Sequence, residues 1–153
     1  MYKRILFATD GSPTSEHALA QVAKLAGSDA EVRVITVLEN PLIPFPAAYA
    51  YAYNADEFLD KLAAEGEATL DRSQETLVDL GVHVETKLIK PEEAGNDIPR
   101  AILEDAEDWA ADVIVLGTHG RRGLKRMLMG SVAEQMIQIS QIPVMLVHAP
   151  KEG

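Results

Sequence analysis

The chain has 153 residues, 47% of them apolar, with a formal net charge of −10 and no cysteine. This length and apolar fraction predict a single domain over residues 1–153 with its own buried core. The missing cysteines exclude disulfides and thiolate chemistry, the acidic charge argues against binding of nucleic acid or anionic membranes, and no apolar run could span a bilayer, so we expect a cytoplasmic protein.

Apolar runs of strand length alternate with segments of helical periodicity, a pattern typical of a parallel sheet wrapped by helices. Five strands are predicted in chain order, at residues 4–9, 31–38, 83–90, 112–117 and 143–148. Four helices are predicted between and after them. The expected class is therefore α/β, a Rossmann-like doubly wound sheet with helices on both faces.

The first two helices have clear end signals. Ser12 is a suitable N-cap and Pro13 suits the first helical turn, so helix one is expected to begin there. Helix two is predicted over residues 56–80, because leucines recur along one stripe and Gly81 stands where a helix commonly stops.

The last two helices are assigned from their apolar positions. Helix three is predicted over residues 98–110 with Ile98, Ile102 and Trp109 facing inward, and its solvent face is expected to hold Glu104, Asp105, Glu107 and Asp108. Helix four is predicted to begin at Ser131. Its buried residues are expected to be Val132, Met136 and Ile137.

Strand order follows from how continuous each apolar run is. Residues 5–8 and 113–116 are unbroken apolar runs, as expected of central strands that are buried on both faces. Residues 83–88 alternate in polarity, as an edge strand does. With right-handed crossovers, the order 3-2-1-4-5 satisfies these assignments. Ligands of such sheets bind where the winding reverses, here beyond strands one and four.

A glycine pattern follows the fourth strand. Gly117, Gly120 and the pair Gly130 and Ser131 are separated by two and nine residues, and the last pair stands where helix four begins. Glycine lets backbone N–H groups approach an anion closely, and a helix start adds partial positive charge. A purely structural role is the alternative, since Ser131 and Glu134 could form a capping box and Gly117 could simply end a strand.

Four basic residues lie inside this glycine-rich segment, and they are Arg121, Arg122, Lys125 and Arg126. In an acidic protein they raise the local positive potential near the glycines. Direct contact with an anion and plain exposure to solvent are both consistent with the sequence. The segment is not a P-loop, because the required GxxxxGK pattern is absent.

Three motifs in order, ATDGS, GTHGRRGLKRMLMGSVAEQMI and IPVMLVHAP, resemble the universal stress protein family in its ATP-binding branch. The resemblance extends over residues 3–149. It implies binding of ATP or another adenine nucleotide, with or without Mg²⁺, and a homodimer built through the last strand, from Pro143 to Val147.

The resemblance also implies roles for individual residues. Asp10 and its neighbours would border the nucleoside, Val37 would meet adenine through its backbone, and the glycine segment would enclose the phosphates. The implied binding residues are Ala8, Thr9, Asp10, Val37, Leu116, Gly117, His119, Gly120, Gly130, Ser131 and Val132. A carboxylate at position 10 is a strong acceptor for ribose hydroxyls; the competing view is that Asp10 caps the following turn, and the two roles are compatible.

Two further features bear on partners. Strand five is apolar yet lies at an edge, where pairing with its own copy would remove an aggregation-prone surface. Residues 41–58 are rich in proline and tyrosine, and could form a lid, a partner contact or a loop packed on its own domain.

These observations favour a nucleotide-binding regulatory protein of stress responses that acts as a dimer. No catalytic residue and no metal ligand is identified. The alternatives are a slow ATPase and a structural, partner-binding dimer whose nucleotide site is vestigial. The sequence lacks the lysine and metal ligands of fast phosphoryl transfer.

Overall fold

The computed structural model of the chain describes residues 1–41, 46–48, 54–118 and 131–148. The strands in these residues are β1 Arg4–Ala8, β2 Glu31–Val37, β3 His83–Ile89, β4 Val113–Gly117 and β5 Val144–Val147. The helices are α1 Pro13–Leu25, α2 Ala55–Asp79, α3 Pro91–Ala94, α4 Ile98–Asp108 and α5 Ser131–Ile139. The single-turn helix α3 was not predicted, because four residues are too few to show helical periodicity.

The five strands form one parallel sheet in the order β3-β2-β1-β4-β5, which confirms the predicted order. β1 lies at the centre, where Ile5 pairs with Val32 of β2 on one side and with Val113 of β4 on the other. Ile5, Leu6 and Phe7 of its apolar run are fully buried, whereas exposed and half-buried residues alternate along β3 up to the buried Ile89. Continuity of apolar residues therefore placed β1, β4 and β3 correctly, whereas the apolar β5 lies at an edge.

Helices cover both faces of the sheet. On one face, α1 and α2 pack through Val22, Leu70 and Leu77. On the other face, α4 and α5 pack through Ile102 and Met136. None of the helices among the described residues has the length and apolar character needed to cross a membrane.

The predicted helix ends for α1 and α2 are confirmed. Ser12 is the N-cap of α1, its hydroxyl accepts a hydrogen bond from Ser15 N at 3.3 Å, and Pro13 follows at the first helical position. After α2, Gly81 has a φ of +80°, which a residue with a side chain rarely adopts. Val82 N donates to Leu77 O at 3.0 Å, and so closes the helix end.

The prediction that Asp105 faces solvent is wrong. Asp105 is 5% exposed, whereas Glu104, Glu107 and Asp108 are exposed as expected. Its carboxylate accepts hydrogen bonds from Lys87 Nζ at 2.6 Å and from Arg33 Nη1 at 3.2 Å. Position 105 lies on the same helical face as Ile102 and Trp109, so the helix turns this acid inward, where cations from β2 and β3 neutralise it.

Ile137 is likewise misassigned, since 49% of it is exposed. α5 contacts the core through Ala133 and Met136, which are buried. Residue 137 lies about 100° around the helix axis from Met136, because an α-helix has ~3.6 residues per turn. Ile137 therefore points away from the sheet.

Candidate functional site

A cavity of about 390 Å³ opens where the strand order reverses, beyond the carboxyl ends of β1 and β4. Its floor is formed by the strand ends, and its walls come from the first turns of α4 and α5 on one side and from α2 on the other. The volume falls within the ~300–1,000 Å³ typical of small-molecule sites.

Eight of the predicted site residues line this one cavity. They are Ala8, Thr9, Asp10, Val37, Leu116, Gly117, Ser131 and Val132. The other three, His119, Gly120 and Gly130, lie outside the described residues, as do the four basic residues of the same segment. Residues separated by more than a hundred positions in the chain thus meet at one place.

Asp10 has a structural role in the turn between β1 and α1. Its Oδ1 accepts hydrogen bonds from Ser12 N at 2.9 Å and from Ser15 Oγ at 3.0 Å. Gly11 follows with a φ of +76°. The turn-capping alternative for Asp10 is therefore real, and it fixes the carboxyl group at the cavity wall.

Gly117 also has a structural reason to be glycine. A Cβ atom at this position would lie 2.9 Å from Thr14 Cγ2 and 3.3 Å from Ser15 N. The end of β4 therefore approaches the first turn of α1 more closely than a side chain would allow. The same close approach brings the helix start beside the cavity floor.

β2 extends beyond the point where its pairing with β1 ends. Ala8 is paired with Ile35, and Thr9 N then donates to Ile35 O at 2.9 Å. Two residues later, Val37 is paired with β3 only. Because successive residues of a parallel strand present their backbone groups to opposite sides, Val37 turns its N–H and C=O toward the β1 side, above the cavity floor.

The α5 wall begins at Ser131, the first residue of that helix. The first N–H groups of a helix have no intrahelical partner and carry partial positive charge. Ser131, Val132 and Ala133 all line the cavity. This wall is the part of the described cavity best suited to an anion.

The sequence analysis missed the wall that α2 contributes, formed by Leu62, Glu65, Gly66 and Thr69. Gly66 is buried in mid-helix, and a Cβ there would lie 2.8 Å from Leu88 Cδ1 and 3.3 Å from Leu38 Cδ2. A glycine inside a leucine-striped helix signals close packing of this kind, and could have located the contact.

Charge is unevenly distributed in the cavity. Among its described lining residues, Asp10, Glu39 and Glu65 are acidic and none is basic. No group of three or more His, Asp or Glu residues in the described part of the chain is arranged to hold a metal ion. Among the described lining residues, partial positive charge for an anionic ligand comes from the start of α5.

Comparison with known proteins gives a consistent result. The family model described as "Universal stress protein family" matches residues 1–148. Universal stress protein MJ0531 of Methanocaldococcus jannaschii is 34% identical over 154 residues, covering 99% of this chain and 85% of that protein.

Solved structures agree with this result. The structure of MJ0577 from Methanocaldococcus jannaschii superposes with a TM-score of 0.84 at 30% identity, covering 99% of each chain. The universal stress protein of Archaeoglobus fulgidus, solved in complex with dAMP, superposes with a TM-score of 0.69 at 24% identity, covering 95% of this chain and 98% of that one. At that identity, the second similarity shows the fold alone.

Proposed function

The chain belongs to the universal stress protein family, and from this premise we propose that it is a regulatory protein that binds an adenine nucleotide in the cavity beyond β1 and β4. The observation that carries the proposal is the meeting of eight predicted site residues around one cavity at the switch point of the sheet. Such crevices are the common ligand sites of open α/β sheets.

The lining residues fit the three parts of a nucleotide. The backbone of Val37, turned toward the β1 side, suits the donor and acceptor edge of adenine. The carboxylate of Asp10 suits ribose hydroxyls, which need a strong acceptor. The N–H groups at the start of α5 suit phosphate oxygens.

The distribution of charge supports one orientation of the ligand. Glu39 follows β2 and Glu65 lies on α2, whereas α5 packs on the other face of the sheet from α2. Carboxylates repel phosphates, so the base occupies the β2 end and the phosphates the α5 end. The complex of the Archaeoglobus fulgidus relative with dAMP shows that this family includes a binder of an adenine nucleotide.

Calorimetric titration tests the proposal directly. The protein is titrated with ATP, ADP and AMP, each with and without Mg²⁺, and with GTP as a matched control. We expect saturable binding of at least ATP and weaker binding of GTP. Absence of heat and of any co-purifying nucleotide at millimolar ligand would refute the proposal.

We further propose that the protein is a homodimer paired through β5. β5 is an edge strand whose Val144, Met145 and Leu146 are only half-buried, and Ile137 and Ile139 of the nearby α5 are exposed. An open apolar edge invites pairing with another strand, and a twofold axis closes such pairing at two chains. Nucleotide occupancy at the adjacent end of β4 can then be read out by a partner.

A further inference from the structure

One hydrogen bond joins two distant segments at the rim of the cavity. Asn96 Oδ1 accepts from the backbone N–H of Asn40 at 2.7 Å, across 56 positions of the chain. Asn96 was not singled out from the sequence, and it does not itself line the cavity. The two segments that this bond joins both contribute walls to the cavity.

The first segment is the chain that leaves β2. Leu38 N donates to Ile89 O at 2.8 Å, which ties the segment to the last residue of β3. Leu38, Glu39 and Pro41 all line the cavity. The bond to Asn40 is therefore a second anchor in the middle of a cavity wall.

The second segment leads into α4. Asp97, next to Asn96, is the N-cap of α4, and its carboxylate accepts from Arg100 N at 3.3 Å. Ile98 and Ile102 of α4 also line the cavity, and they pack in the same apolar cluster as Val37 at the end of β2. Asn96 thus joins the wall that follows β2 to the wall that α4 provides.

The backbone explains why asparagine stands at this position. Asn96 has a φ of +57° and follows Gly95 at +58°. Asparagine and aspartate are the residues with a side chain that best tolerate this left-handed conformation, and each also has a short carbonyl or carboxylate acceptor. Glycine would satisfy the backbone but would lose the acceptor.

We propose that Asn96 is a positioning residue for nucleotide binding, which holds the β2 wall and the α4 wall at the separation that the adenosine part of the ligand requires. The proposal rests on the proposed function, because it concerns the base end of the same cavity. Asn96 contacts Asn40 and leads into α4, both at the proposed base end of the cavity, so we expect its effect to fall on the adenosine moiety and not on the phosphates.

Three variants distinguish the contribution of the Asn96 side-chain acceptor from that of its left-handed backbone conformation. Asn96→Gly keeps the φ and removes the acceptor, Asn96→Asp keeps both, and Ser131→Ala alters the phosphate end for comparison. Calorimetry of the full chain with adenosine, AMP and ATP measures affinity. Amide hydrogen exchange at Asn40 in nucleotide-free protein measures the anchor itself.

We expect Asn96→Gly to weaken adenosine, AMP and ATP by the same factor, about 3- to 10-fold, as loss of one neutral hydrogen bond predicts. Asn96→Asp should remain within about twofold of the natural protein, since it retains the acceptor. Exchange at the Asn40 amide should accelerate only in the glycine variant.

Three outcomes would overturn the proposal, and they are distinguishable. If the natural protein binds ATP but Asn96→Gly binds it equally well, or loses ATP affinity alone, the positioning role is refuted while the proposed function stands. If the natural protein binds no nucleotide, both are refuted, even where exchange at Asn40 responds as expected.

Discussion

Asp10 and Ser15 hydrogen-bond to each other at the N-terminus of α1. Ser15 Oγ donates to Asp10 Oδ1 at 3.0 Å, and the same hydroxyl oxygen accepts from Asp10 N at 3.5 Å. The carboxylate is thus fixed at the wall of the cavity by the turn that it caps. A single residue can therefore serve the fold and a ligand, and a substitution must separate the two roles.

The substitution Asp10→Asn separates the structural role of this residue from its proposed role in ligand binding. Asparagine retains an Oδ1 that can accept from Ser12 N and Ser15 Oγ, but it removes the negative charge that a ribose hydroxyl would meet. We expect ATP affinity to fall about 10- to 100-fold, the range for a hydrogen bond to a charged group, with little change in unfolding free energy. Calorimetry and urea unfolding measure the two effects. Asp71→Asn, on the exposed face of α2, is the matched control and should change neither.

Gly117→Ala tests the close approach of β4 to α1. The new Cβ would press on Thr14 Cγ2 and on the backbone at Ser15, which cannot move without disturbing α1. We expect a loss of about 1–3 kcal/mol in unfolding free energy, as overpacking commonly costs.

Gly27→Ala is the control for this substitution. Its Cβ would meet only Met1 Sδ at 3.1 Å, at the end of an exposed and flexible side chain. Its stability should be unchanged or slightly raised, because alanine reduces the entropy of the unfolded chain. Equal stabilities for the two variants would contradict the packing argument.

Asp105→Ala removes the acid that Arg33 and Lys87 share. Asp105 is almost fully buried and Arg33 is largely so, and the substitution removes an acid that pairs with two cations, of which Arg33 keeps Glu85 at 3.1 Å. We expect a loss of about 2–4 kcal/mol, reduced from the value for a fully buried pair because Lys87 is about half exposed. Asp108→Ala, on the solvent face of the same helix, should stay within about 0.5 kcal/mol in chemical unfolding.

Asp112→Asn should show a pH-dependent effect. Backbone N–H groups of Arg4 and Lys3 donate to Asp112 Oδ2 at 2.9 and 2.8 Å, and they hold the pKa of Asp112 below its ordinary value of 3.8. A pKa lowered by folding gives stability that is present above 3.8 and is lost as the pH falls through the folded pKa.

The variant should therefore be less stable than the natural protein at pH 7, and the difference should shrink in acid. Urea unfolding at a series of pH values between 7 and about 2 measures the difference in unfolding free energy between the two proteins. A constant difference in unfolding free energy across this range would mean that the charge of Asp112 does not contribute to stability.

Val144→Pro tests pairing through β5. Ile114 N donates to Pro143 O at 2.9 Å and Thr118 N donates to Val147 O at 3.0 Å, so Pro143, Met145 and Val147 present their backbone to β4. Val144 therefore presents its N–H to the outer side. Proline there keeps the fold but removes a donor from the free edge. We expect sedimentation to report a dimer for the natural protein and a monomer for the variant.

Val84→Pro is the matched control at the opposite edge. Val84 is also half-buried, and its N–H points away from β2 by the same alternation, because Ile89 O accepts from Leu38 N. Its oligomeric state should equal that of the natural protein. Dissociation by both substitutions, or by neither, would count against a dimer through β5.

Much of the architecture follows from local patterns in the sequence. The unbroken apolar runs of β1 and β4 set them inside the sheet, and the alternation in β3 set it at an edge. Ser12 with Pro13, and Gly81, marked helix ends because capping depends on a few neighbouring residues. The place of the cavity followed from strand order alone, since the carboxyl ends of parallel strands share one edge.

Other features required the folded chain. The sequence could not show that Asp105 meets Arg33 and Lys87, because a helical position with acidic neighbours is normally solvated. Gly66 signals close packing within α2, but the sequence could not show that this packing forms a wall of the cavity, or that Asn96 holds Asn40. Each of these depends on the packing of elements distant in the chain. Periodicity and capping are local, so the sequence determined the elements and their order, and only tertiary packing decided which side chains meet between them.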